Sequence, residues 1–320
     1  MRALGSQRGS SGDLQALVEE FFRATFSTDN PIITEAVKRM LAAGGKRLRP
    51  RITLLAAQAC GGKAVEHLHL AAYMELIHVA TLIHDDVVDN AGTRRGVNAT
   101  AVDYGNRVSV LAGDYLFAWI FKNVTADYPA PVPNVLSETL ASICDGEVLQ
   151  LAALGNLDLP FEDYVEIARK KTASLFAASA QCGAIMGGGN AREIAALRAF
   201  GEDFGIAFQM KDDLLDMTAD ERSLGKPAGN DLAERKMTIP LIAALATGDG
   251  SFRAQVRSFY DGAGNDAIAA IVDGIELQGG LAATRGQIAR FLERARAALE
   301  PIEDGAAKQE LVRLTEALES

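Results

Sequence analysis

Three cysteines in 320 residues are too few and too scattered to build a disulfide framework. Cys60, Cys144 and Cys182 are odd in number, form no Cys-x-x-Cys pair and stand among apolar or small neighbours, the setting of buried reduced thiols in a cytosolic protein. Positive charge is also short, since 32 Lys and Arg against 42 Asp and Glu leave a net charge of -10. That balance argues against general nucleic-acid binding, so an anionic ligand must be held by metal ions and local basic clusters. Long apolar runs are missing. The best candidate, residues 108–121, is too short for a membrane span and contains Asp114. Residues 1–12 are rich in Gly and Ser without the apolar core of a signal peptide, and read as a flexible start to a cytoplasmic chain. With 9 prolines and 48% hydrophobic residues, the chain reads as compact and globular, long enough to bury a substantial core.

Alternating patterns of β-branched residues are nearly absent too, and helical spacing takes their place. Asn30-Pro31 is an N-cap followed by proline at the first helical position, opening a helix that runs to Gly44-Gly45. Pro50 opens a second helix ending at Gly61-Gly62. A long helix from about residue 64 to residue 89 repeats apolar positions at Leu68, Ala72, Leu76, Val79 and Ile83. Further helices are predicted over 107–126, 132–153, 161–187, 192–217, 239–247, 252–260 and, with interruptions, from 266 onward. The expected fold is therefore all-α. No Pro/Gly/Ser-rich linker divides the middle, so residues 1–320 read as a single domain.

The chemistry is concentrated in one acidic pattern that occurs twice, Asp85-Asp86-Val-Val-Asp89 and Asp212-Asp213-Leu-Leu-Asp216. Carboxylates at i and i+4 share a helix face, and the second Asp of each motif is expected beside them. Rows of carboxylates on rigid helices suit oxygen-loving divalent cations, above all Mg²⁺, whose open positions take up phosphate oxygens. A single copy would be as easily a solvated acidic face; two copies make that reading poor. Basic residues accompany both motifs. Arg94-Arg95-Gly96 follows the first, Lys226 and Lys236 follow the second, and Gly44-Gly45-Lys46-Arg47-Leu48-Arg49-Pro50 packs three cations into one turn. Arg offers a planar fork for phosphate oxygens, Lys a flexible point charge. No Gly-Lys-Ser/Thr follows a strand, so this is not a Walker loop.

Together these motifs resemble the trans-prenyltransferases, the isoprenyl diphosphate synthases of the polyprenyl synthetase family. The resemblance runs from Gly44 to about Pro240. It rests on Gly-Gly-Lys-Arg-Leu-Arg-Pro, Glu75-Leu-Ile-His78, the two acidic motifs, Arg94-Arg95-Gly96, Lys171-Thr172, Phe208-Gln209, Gly225-Lys226-Pro227 and Gly229-Asn-Asp-Leu through Lys236-x-Thr238-x-Pro240.

The resemblance implies a single helical bundle of the isoprenoid synthase type with a central cavity. An allylic diphosphate would bind between the acidic motifs through three Mg²⁺, with Asp85, Asp86, Asp89, Asp212, Asp213 and Asp216 as the ligand set. Arg94, Lys171, Lys226 and Lys236 would hold its phosphates. Isopentenyl diphosphate would sit with Lys46, Arg49, His78 and Arg95. Thr172 and Gln209 would place oxygen dipoles beside the allylic cation formed when the diphosphate leaves. His78 lies on nearly the same helix face as Asp85, whereas His84 points elsewhere and reads as structural. Glu147 and Gln150 are open candidates for the cavity lining.

Product length is set, on the same resemblance, by the wall one turn or more before Asp85. Ala80 and Thr81 are small there, with Ile77 and Met74 deeper, which points to a long-chain all-trans product for quinone side chains, made from farnesyl or geranylgeranyl diphosphate. A short-chain product is the alternative, with Met74, Tyr73 or the aromatics Tyr115, Phe117 and Trp119 closing the tunnel early. A homodimer with loose membrane association for product release is also expected. Two departures stand out: Arg235 where relatives commonly carry Gly, and a C-terminal stretch without the basic tail of many relatives. A terpene cyclase fits poorly, because the second acidic motif is intact. A non-catalytic partner subunit is the remaining alternative, although such subunits often lose these motifs.

Overall fold

The computed structural model describes residues 18–20, 26, 28–94, 96–218, 229–262 and 267–320. These residues are helical almost throughout. In chain order come α1 (Pro31–Ala42), α2 (Leu48–Ala59), a 3-10 turn (Ala64–His67), α3 (Leu68–Val88), the two-residue strands β1 (Thr93–Arg94) and β2 (Val97–Asn98), α4 (Thr100–Tyr104), α5 (Asn106–Asp127) and α6 (Pro131–Ala152). Then follow α7 (Phe161–Ala168), a π turn (Arg169–Ala173), α8 (Ser174–Met186), α9 (Ala191–Thr218), α10 (Asn230–Ala233), α11 (Ile239–Thr247), α12 (Gly250–Tyr260), α13 (Ile268–Leu277), α14 (Gly280–Ala298) and α15 (Ala306–Glu319). The expected all-α class is what is observed.

Some local signals act as the sequence predicts, but α2 starts at Leu48, two residues before the Pro50 expected to open it, and the long helix is preceded by a 3-10 turn over Ala64–His67. Of the three cysteines expected to be buried only Cys182 is, with Cys60 half-buried and Cys144 exposed. Asn30 caps α1 by accepting from the Ile32 and Ile33 N–H groups at 3.0 and 3.3 Å. The expected helix over 161–187 is interrupted, because the π turn at 169–173 inserts extra backbone where Lys171 and Thr172 lie. The hairpin Thr93↔Asn98, Arg94↔Val97 escapes any period-two reading, since each strand has only two residues.

Two compact units are distinguished. The first takes in the described residues up to Asn134, with Ser179–Ile194 and Gly305–Ala307. Its centre is α3, which packs against α2 and α5. Leu70, Met74, Ile77, Ala80 and Ile83 are fully buried on several faces, the mark of a helix surrounded by neighbours. The second unit takes in Val135–Ala178, Ala195–Asp304 and Lys308–Ser320. Here α11 packs on α14, and α9 approaches the π turn and α8 through glycine. A Cβ on Gly201 would lie 2.5 Å from the Phe176 carbonyl oxygen, and one on Gly205 2.5 Å from the Ala173 Cα. Gly201, Gly205, Gln209 and Asp213 follow each other at intervals of four along α9. The two glycines therefore let the backbones close up and bring the next side chain in that row to the π turn.

Among the described residues no helix is long and apolar enough to cross a membrane.

Candidate active site

In the first unit the acidic motif occupies the last turn of α3. Asp85 and Asp89 are half-buried one turn apart, and Asp89, the C-cap, donates its N–H to the Asp85 carbonyl at 2.8 Å. Asp86 differs from both. A step of one residue turns it about 100° away from the shared face, and it is fully buried. Arg94, carried by β1, reaches one oxygen of Asp86 with Nε at 2.7 Å and Nη2 at 2.6 Å.

Upstream, the basic turn is organised by Arg47. Its backbone is left-handed at φ 48°, and its side chain is buried. Nη1 donates to Glu75 Oε1 on α3 at 2.9 Å, Nε to Glu19 Oε1 at 2.6 Å and Nη2 to the Leu41 carbonyl at 2.8 Å. Burial works against the charge, but Glu19 and Glu75 hold the guanidinium above its ordinary pKa. The middle cation of the cluster is thus structural. Lys46 before it is exposed, and Arg49 lies in the first turn of α2. His78 is half-buried on α3, one turn beyond Glu75, and its carbonyl accepts the Thr81 hydroxyl at 2.8 Å. His84 covers Gly113, with Nε2 3.1 Å from the Val110 carbonyl and 3.3 Å from Asp114.

The proposed chain-length residues also fall in this unit. Ala80, Ile77 and Met74 are fully buried and Thr81 is half-buried. Deeper on α3, the Tyr73 ring meets Trp119 edge-on at 5.9 Å, and Trp119 meets Phe26 at 5.4 Å.

In the second unit Asp212 is exposed and Asp216 half-buried, again one turn apart. Asp213 between them is 3% exposed and accepts three hydrogen bonds. Gln209 Nε2 donates to Oδ1 at 2.8 Å, while the Tyr164 hydroxyl at 2.7 Å and the Ile239 N–H at 3.3 Å donate to Oδ2. Burial pushes its pKa up to about 6, against the pull of the Tyr164 and Gln209 donors. Gln209 Oε1 in turn accepts the Thr172 hydroxyl at 2.6 Å. Lys171 bonds Gln150 Oε1 at 2.6 Å and pairs with Glu147, so both open candidates on α6 are brought to it. Gly146 allows this approach, since a Cβ there would lie 2.5 Å from the Lys171 nitrogen. Lys236 pairs with Glu234 at 2.6 Å. Arg95 and Lys226 (with Gly225 and Pro227) lie outside the described residues.

Two residues matter here to which the sequence reading gave no role, Asp231, quoted only within a motif, and Tyr164. Asp231 donates its N–H to Asp216 Oδ2 at 3.1 Å, and burial, with the Asp216 and Asp213 charges, raises its pKa well above the carboxylate range. Tyr164 precedes Lys171 by seven residues, two helical turns, which is the one local signal that could have found it.

This chemistry fits a divalent cation. Among the described residues no three His, Cys, Asp or Glu side chains form a ready-made cage. Mg²⁺ does not need one: it keeps water and uses one or two carboxylates plus substrate phosphates. Asp85 with Asp89 and Asp212 with Asp216 are such pairs. The mutual repulsion of Asp212, Asp213, Asp216 and Asp231 marks the second motif as short of positive charge.

An all-α framework with paired acidic motifs and attendant cations defines an isoprenoid synthase. The chain belongs to the polyprenyl synthetase family, whose model matches residues 30–275. It is 37% identical over 308 residues to a short chain isoprenyl diphosphate synthase of Methanothermobacter thermautotrophicus, covering 94% of each chain. It is equally 37% identical over 289 residues to the octaprenyl diphosphate synthase of Escherichia coli, covering 90% of each. A polyprenyl synthase structure from Caulobacter crescentus, complexed with calcium and isoprenyl diphosphate, superimposes with a TM-score of 0.91 at 34% identity, covering 98% of this chain and 99% of that one. The protein is accordingly a prenyltransferase of a divalent-metal-dependent family.

Proposed function

We propose that this protein condenses isopentenyl diphosphate head-to-tail with farnesyl or geranylgeranyl diphosphate to give a long-chain all-trans polyprenyl diphosphate, of the kind used in quinone side chains. The observation that carries the reading is the division of labour inside each acidic motif. The outer carboxylates stand one turn apart, while the middle one is buried and committed to protein donors. On this reading the expected ligand set of six narrows to Asp85, Asp89, Asp212 and Asp216. Asp86 and Asp213 act through Arg94 and Gln209.

Mg²⁺, three ions in this reading, would supply Lewis-acid neutralisation of the departing diphosphate. Arg94, Lys171 and Lys236, with Lys226, bind its oxygens as charge builds on them. Lys46, Arg49 and His78, with Arg95, hold isopentenyl diphosphate. The allylic carbon–oxygen bond breaks with its electron pair going to the diphosphate. The double bond of isopentenyl diphosphate then forms the new carbon–carbon bond, and the proton lost afterwards passes to the released diphosphate. Thr172 and Gln209 face the cation with oxygen. Residues 1–320 act as one catalytic domain, in the cytoplasm, with loose membrane contact when the product leaves.

Sequence identity does not choose the product, since a short-chain and an octaprenyl synthase match equally well. Small Ala80 and Thr81 favour the long product. The Tyr73–Trp119 contact favours a second reading: it lies twelve residues before Asp85, about 18 Å along the helix, where it could arrest a shorter chain. A homodimer is supported by exposed apolar side chains on α5 (Val110, Leu111, Tyr115) and on α6 (Val148, Leu151).

The test is incubation of the purified protein with Mg²⁺, isopentenyl diphosphate and farnesyl diphosphate, with products sized by mass spectrometry. Seven to ten isoprene units, roughly, support the long-chain reading. A stop at geranylgeranyl moves the floor to the Tyr73–Trp119 contact. No condensation with any primer reopens the partner-subunit reading.

A further inference from the structure

Tyr164 sits on α7 with 5% of its surface exposed, and it lies 49 residues from Asp213 in sequence. Its hydroxyl begins an unbroken series of hydrogen bonds through the second unit. Tyr164 donates to Asp213 Oδ2 at 2.7 Å, Gln209 donates to Asp213 Oδ1 at 2.8 Å, and Thr172 donates to Gln209 Oε1 at 2.6 Å.

The direction of this series matters. A carboxylate can only accept, so Asp213 fixes which end of the Gln209 amide faces it. The NH₂ group turns to Asp213, and the amide oxygen is left to face Thr172. That oxygen in turn accepts the single Thr172 proton. Thr172 Oγ1 is then left with lone pairs alone to offer, which suits a cation and not an anion. Tyr164 is the donor at the head of the series, since the Asp213 oxygen it meets can only accept.

We infer that Tyr164 is a positioning residue for the prenyl-transfer reaction, acting through Asp213 and Gln209 to hold Thr172 as an oxygen acceptor toward the allylic cation. The inference rests on the proposed function and adds a residue outside the acidic and basic motifs. Tyr164 touches neither diphosphate; its effect passes through two intervening side chains.

The experiment is a double-mutant cycle between Tyr164→Phe and Thr172→Val in the full-length protein. Condensation kinetics and Mg²⁺ dependence are measured at a temperature where circular dichroism shows every variant folded. Tyr164→Phe is expected to lower kcat roughly tenfold or more, as loss of a partner that orients a reacting group does, while KM for both diphosphates and the half-saturating Mg²⁺ concentration stay unchanged. Added to Thr172→Val, it should cost nothing further, because the residue it orients is already gone. Should Tyr164→Phe fail to fold, Tyr164→Met, which also removes the hydroxyl donor and fills the space with a flexible apolar side chain, takes its place in the same cycle with the same expectations.

Multiplying losses, an unchanged kcat in Tyr164→Phe, or a raised Mg²⁺ requirement would each overturn the inference. Failure of the functional reading shows separately, as an unmodified protein that makes no condensation product, and the inference falls with it.

Discussion

Arg94 holds the central carboxylate of the first acidic motif, with Nε and Nη2 at 2.7 and 2.6 Å from the same Asp86 oxygen. Asp86 is fully buried, whereas 23% of the Arg94 side chain is exposed. The two deletions are therefore unequal. Arg94→Ala strands a buried carboxylate and is expected to cost about 3 kcal/mol of stability. Asp86→Ala leaves a guanidinium that can still reach water and should cost less. Denaturant unfolding of both variants checks the order. In kinetics, Asp85→Asn and Asp89→Asn should raise the half-saturating Mg²⁺ concentration, while Asp86→Asn and Arg94→Ala should both act mainly on KM for the allylic diphosphate. A Mg²⁺ requirement raised equally by all three Asp variants would place Asp86 among the ligands.

The Arg47–Glu75 pair ties the basic turn to α3 one turn before His78. Both side chains are almost fully buried, at 2% and 3% exposure. Glu75→Gln keeps the shape and removes the charge. Because Glu19 still faces Arg47, the expected loss is about 2 kcal/mol and not a collapse of the fold. With the turn loosened, KM for isopentenyl diphosphate should rise while KM for the allylic substrate holds. Equal changes in both would mean that the pair does not position Lys46 and Arg49.

A pH dependence of stability is expected from Asp203 on α9. Burial, only partly offset by Arg294 at 2.9 Å, raises its pKa to about 6 from 3.8. Folded protein therefore binds a proton that the unfolded chain does not between about pH 4 and pH 6. The penalty of the buried charge is fully present above pH 6 and is relieved as pH falls through that window. Asp203→Asn should thus stabilise the protein by roughly 1–2 kcal/mol at pH 8, with the gain shrinking toward pH 4. Melting curves at both values test it, and a gain independent of pH would exclude the charge as its source.

Much of this molecule is legible in the sequence, for reasons that can be stated. The acidic motifs announce themselves because an i, i+4 pair on a helix needs only local geometry, and Asn30-Pro31 and Gly44-Gly45 bracket α1 by local rules as well. The same geometry, taken one step further, turns Asp86 and Asp213 off the shared face into the interior. The partners of Arg47 and Tyr164 lie 28 and 49 residues away, so their roles depend on packing that no local pattern encodes. The π turn that presents Lys171 and Thr172 is invisible for a similar reason. Nothing in Arg-Lys-Lys-Thr-Ala distinguishes a wide turn from a regular one until Gly146 and Gly205 are seen to close on it.

Arg235 holds a left-handed backbone, at φ 58°, a conformation that glycine adopts without strain. It is fixed there by its own N–H on the Leu232 carbonyl at 3.0 Å and by its carbonyl, which accepts from Gly155 at 2.9 Å. A left-handed non-glycine residue costs about 1 kcal/mol. Arg235→Gly relieves that strain but adds freedom to the unfolded chain, so the net gain should be about 0.5 kcal/mol. Arg235→Ala removes the same side chain and keeps the strain, which isolates the backbone effect. The expected order of melting temperature is Arg235→Gly above Arg235→Ala, with both variants retaining the Gly155 contact. If Arg235→Gly melts lower than the unmodified protein while Arg235→Ala does not, the glycine's unfolded-state entropy outweighs the strain. If both melt lower, the Arg235 side chain contributes more to the fold than its backbone strain removes.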